Sequence, residues 1–139
     1  MNTVAANHLA GRLAAQRDYL SQCVAARLLA AYPELSNVLQ METVVASSAR
    51  DRLGEVAVRR LNELVRSILI FEDLSIAEQE LRWAVGVLPR RGVKMHHQAT
   101  MVHWFFEEVE RLDLAKEERT LVHSIEHYLM NVVETVYAA

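Results

Sequence analysis

Apolar residues recur every three or four positions along nearly the whole chain, the spacing of helices that turn one face inward. Leu9, Leu13, Leu20, Val24 and Leu28 set the first run and predict one helix from about Val4 to Ala31. Pro33 ends it, because the residue before a proline resists the α region. A short helix is expected from about Glu34 to Ala46. Ser47-Ser48 then cap a third, in which Leu53, Val56, Leu61, Leu64, Val65, Ile68 and Leu69 recur at helical spacing. Ser67 to Phe71 has a β-like composition but continues the helical period, so no strand is predicted. Ser75-Ile76-Ala77-Glu78 has the form of a capping box and opens a helix with Leu81, Trp83, Val85 and Leu88. Pro89, followed by Arg90-Arg91-Gly92, closes that helix. The next is expected from about Lys94 to Leu112, and the last from about Ala115 to the end of the sequence. The fold class is all-α.

The last two helices carry more apolar surface than one stripe requires. Val102, Phe105, Val109 and Leu112 are spaced three, four, three; Val122, Ile125, Leu129, Val132 and Val136 are spaced three, four, three, four. That is the seam of helices crossing at shallow angles. Met101 and Phe106 flank one seam, and Leu121, Tyr128, Val133 and Tyr137 flank the other. Two explanations stand: a wide core face, or a four-helix bundle formed with a second copy, with Val122, Ile125, Leu129, Val132 and Val136 at the dimer interface. The final heptads run almost to Ala139 with no Gly, Asn or Pro to stop them, so continuation into a further domain is expected.

Size and charge narrow the picture. The 139 residues fit one domain, 1–139, and 52% hydrophobic residues can furnish its core. A net charge of −3 with interleaved signs points away from nucleic acid and from a polybasic membrane contact. No apolar run approaches the ~20 residues of a membrane span, and no leader pattern opens the chain. Cys23 stands alone and reads as a small buried side chain suited to a reducing cytoplasm.

The histidines invite a search for chemistry, since five of six follow residue 95. His123-Ser124-Ile125-Glu126-His127 matches the H-x-x-E-H protease pattern, but no separate element follows to supply a third zinc ligand. His103 and Glu107, with His123 and His127, would lie at one height of an antiparallel hairpin, and this set resembles the central helices of the hemerythrins. That resemblance implies an oxygen-binding di-iron bundle, and a metal- or haem-binding helical protein that uses these four residues is the alternative reading. The further H-x-x-x-x-D helix of that family does not follow, and the polar stripe is also what a solvated helix face looks like. No E-x-x-H occurs for a ferritin-like site, and no nucleophile elbow or phosphate loop is found, so no enzyme is expected. Arg90, Arg91, Lys94, His96 and His97 gather at a helix start, where they would meet an acidic partner or carboxylate, or simply form a solvated turn.

From residue 50 onward the order of signals resembles the sensor branch of the globin family. The matching stretches are VAVRRLNELVRSILIFED, then SIAEQELRWAVGVLPRRGV, then KMHHQATMVHWFFEEV opening a long penultimate helix. Aligning the glycine of that family's H-x-x-[IV]-G-[IV] turn with Gly92 puts Leu88 where the haem-ligating histidine stands and Arg91 where an aliphatic residue stands. The chain is therefore most similar to the haem-free globin domains of stressosome sensor proteins. The resemblance implies a globin-like fold without cofactor or metal and dimerisation through the last two helices. It also implies an apolar pocket lined by Leu64, Ile68, Trp83 and Leu88, filled, empty or holding a small apolar ligand. The expected function is a non-catalytic sensory or regulatory homodimer, signalling to a regulatory protein or a fused C-terminal output domain.

Overall fold

The computed structural model describes residues 1–35, 55–87 and 92–138, and every described element is helical. The elements are α1 (Thr3–Ala15), α2 (Arg17–Ala31), a 3₁₀ turn (Pro33–Leu35), α3 (Glu55–Phe71), α4 (Ile76–Val87), α5 (Met95–Glu110) and α6 (Lys116–Ala138). The expected helix over Glu34–Ala46 beyond Leu35, its Ser47-Ser48 successor cap, and Leu88, Pro89, Arg90 and Arg91 lie outside the described residues.

The single first helix expected from the apolar run is two. Gln16 leaves helical geometry at φ −99° and ψ 9°, although no glycine or proline marks the place. The cause is tertiary. Asn62 of α3 donates to the Leu13 carbonyl at 3.2 Å, and Arg66, one turn on, donates to the Ala10 carbonyl at 3.0 Å. A side chain bonded to a helix carbonyl near a helix end is a recognised source of bending. Thr3 also bonds Glu72 at 3.0 Å, so α1 runs antiparallel along α3 from Asn62 to its end. The bend lets α1 lie on α3 and α6 while α2 lies on α3 and α5.

One continuous core draws on all six helices, with Leu9, Leu13, Leu20, Ile68, Leu69, Phe105, Phe106, Ile125 and Leu129 almost wholly enclosed. Phe105 and Phe106 meet edge to face at 5.3 Å within it. The helix ends follow local chemistry. Asn2 accepts from the Ala5 amide to start α1. At the end of α3, Glu72 sits in the left-handed region at φ 51° and the Asp73 amide returns to the Ile68 carbonyl, a Schellman stop. Gly92, at φ 92°, supplies the backbone that leads into α5.

The capping box expected at Ser75 and Glu78 is not how α4 begins. The Ser75 amide and hydroxyl both donate to Asp73, at 2.9 and 2.6 Å. The Glu78 carboxylate instead accepts from the Tyr128 hydroxyl of α6 at 3.0 Å. An interhelical partner has claimed the side chain that the local motif would have used. No helix among the described residues is long and apolar enough to cross a membrane.

Candidate functional site

The doubled apolar face of the last two helices is a wide core face. Val122, Ile125, Leu129, Val132 and Val136 are all buried within the chain itself, as are Phe106, Leu121 and Val133 from the flanks. The reason is crowding, since α6 contacts α5, α4 and α1 at once and needs more than one stripe. The residues expected at an interface between copies are thus interior to one copy.

Of the four residues expected to line a pocket, Leu88 lies outside the described residues. Leu64 and Ile68 belong to the core, but Trp83 is 50% exposed. Its ring lies under the Arg60 guanidinium at 4.7 Å, and Arg60 is paired in turn with Glu80. That is a surface cation–π contact. Helical phase explains it: Leu81 and Ala84 take the inner face of α4 and leave Trp83 on the outer one.

On the outside of α5 and α6 the histidines and carboxylates form a ladder of pairs. His103 faces Glu107 at 3.0 Å through Nε2 and Glu126 at 3.3 Å through Nδ1. His123 pairs with Glu110, and His127 lies 3.3 Å from Asn131. His103, Glu107, His123 and His127 therefore share a face, but each is engaged with its own neighbour rather than with a common point.

Three buried carboxylate or imidazole groups tie helices together. Glu118, enclosed at the start of α6, accepts from the Ala115 amide at 2.9 Å and His8 of α1 at 2.8 Å, with Arg12 3.8 Å away. Burial pushes its carboxyl up, but the Ala115 amide, His8 and Arg12 together outweigh that and leave it below the ordinary range. Arg12 also donates to the Asp113 carbonyl, so α1 grips the turn between α5 and α6 from two sides. Glu108, equally enclosed, is held by Arg27 at 3.2 Å and Arg111 at 3.0 Å. The Arg27 guanidinium lies 4.5 Å from the Trp104 ring centre.

The third group is His97, at the start of α5, and it belongs to the densest cluster of chemistry in the described residues. Its Nδ1 accepts from the Lys94 amide at 3.0 Å and its Nε2 lies 3.3 Å from Glu34. The Lys94 bond fixes the tautomer, because an accepting Nδ1 leaves the proton on Nε2, pointing at the carboxylate. His96 lies alongside, with ring centres 4.1 Å apart, and Tyr32 meets both rings edge-on at 5.5 and 4.9 Å. The Tyr32 hydroxyl bonds Thr100 at 3.1 Å, and Trp104 stacks behind it. Glu34 is held below the ordinary carboxyl range, first by its own backbone amide and then by His97.

Family models, curated proteins and solved structures offer no match to this chain. The cluster must speak for itself. The basic helix start was visible in the sequence as His96 and His97 beside Lys94, with a carboxylate as one expected counterpart. The carboxylate that meets His97 is the chain's own Glu34, and neither Glu34 nor Tyr32 was marked by any motif. The only local signal is Pro33, which sets the turn that presents both.

Proposed function

We propose that this chain is a non-catalytic regulatory domain: a haem-free, globin-like helical scaffold that pairs with a second copy and signals to a partner protein or output domain. The observation that supports it is the division of the last two helices into two faces. The apolar seam is spent on the core, whereas the outer face carries ordered His–carboxylate pairs rather than an undifferentiated solvated surface. A pairing of copies along α5 and α6 would then run through this polar ladder, at the rim strengths expected of exposed ion pairs, and would be reversible and salt-sensitive. Leu64 and Ile68, buried where the resemblance puts a haem, favour the haem-free form.

Sedimentation across concentration and ionic strength tests this reading. Self-association that weakens with salt and is reduced by His103→Ala with His123→Ala is expected. A monomer at high micromolar concentration and low salt would remove the homodimer and leave binding to a separate protein. A Soret band in freshly purified protein would overturn the haem-free assignment.

A further inference from the structure

Independently of that reading, we propose that Glu34, His96 and His97 form a binding site for a divalent transition-metal ion of the zinc type. One donor atom from each of the three side chains lies within 4.8 Å of the other two, and the three come from two separate elements. Two imidazoles and a carboxylate are a donor set that zinc accepts, with ligand distances near 2.0–2.2 Å and one position left for water. Two ligands at that distance in tetrahedral array stand about 3.4 Å apart. The Glu34 carboxylate and His97 Nε2 are already at 3.3 Å, so a shared ion needs little movement from this pair.

The surroundings suit such a site. His97 is buried, with its side chain 3% exposed, while Glu34 and His96 are exposed, so an ion can enter from solvent and reach a held imidazole. Tyr32 abuts both histidine rings and limits their rotation. Binding carries a defined structural consequence. Coordination through Nε2 moves the imidazole proton to Nδ1, so the ring can no longer accept from the Lys94 amide. The ion therefore exchanges the cap of α5 for a coordinate bond, and the helix start reports on metal occupancy.

The competing chelator is the His123–His127 pair, one turn apart on the exposed face of α6. The test uses untagged full-length protein stripped with chelator and titrated with Zn²⁺ by calorimetry, with Co²⁺ absorption to read the geometry. One equivalent is expected. Glu34→Gln and His96→Ala, both at exposed positions that leave the core intact, should each weaken it by more than about the 10–100-fold typical of a lost outer-shell partner. His123→Ala with His127→Ala should leave it unchanged. The Lys94 amide should lose its hydrogen-bonded NMR shift on Zn²⁺ addition. Absence of binding, or binding lost with His123 and His127 but kept in Glu34→Gln and His96→Ala, would overturn the site.

Discussion

Glu72 carries a cost that the rest of its turn does not require. A residue other than glycine in the left-handed region costs roughly 1–2 kcal/mol, and the side-chain hydrogen bond set against it among the described residues is one exposed bond from Thr3. Glu72→Gly should therefore raise stability by roughly 1 kcal/mol, read as a higher urea midpoint with unchanged slope. Glu118 works in the opposite direction. Its carboxyl sits below the ordinary range in the folded chain, so around and below pH 4 the unfolded chain binds more protons and stability falls. The contribution is complete above the unfolded value of about 4.3 and is lost as pH drops through the lower, folded one. Glu118→Gln should flatten the acid limb of a Tm-against-pH curve while lowering Tm at pH 7. Single residues were the least legible scale in the sequence. Nothing local distinguishes Glu118, which caps a helix and anchors another, from Glu117, which faces solvent.

Helices were legible because period and punctuation agreed. The apolar spacing marks α5 and α6 to within about two residues, and it marks the described part of the third expected helix, where Leu61, Leu64, Val65, Ile68 and Leu69 are buried. It failed where a distant partner intervened. The break at Gln16 follows from Asn62 and Arg66, some fifty residues away in sequence, and the lost capping box at Ser75 follows from Tyr128. Periodicity also cannot tell a seam between copies from a seam inside one, because both bury the same residues. The structure makes the distinction testable. Leu129→Ala should cost about 2–5 kcal/mol in a denaturant titration whatever the protein concentration, as for any fully enclosed leucine. Trp83→Ala, by contrast, should stay within about 1 kcal/mol, the scale of an exposed cation–π contact.

At the scale of the whole molecule, an all-helical fold with one core is what the composition allowed, and the absence of strand patterning was a sound guide among the described residues. The cluster at the start of α5 was half legible: its histidines stood together in sequence, but their carboxylate, Glu34, came from the Pro33 turn some sixty residues earlier. No pattern of one segment encodes what another brings to it.

The grip of α1 on the far end of the molecule has a further consequence. Among the described residues, most of what α1 and α2 bury is buried against helices that follow residue 54, from Asn62 on α3 to Glu118 on α6. The N-terminal pair of helices thus behaves as a ligand that happens to be covalently attached. Covalent attachment makes that docking intramolecular. A chain cleaved once between Leu35 and Glu55 should remain one particle at high protein concentration and come apart on dilution. Its thermal midpoint should depend on concentration, where the intact chain's does not.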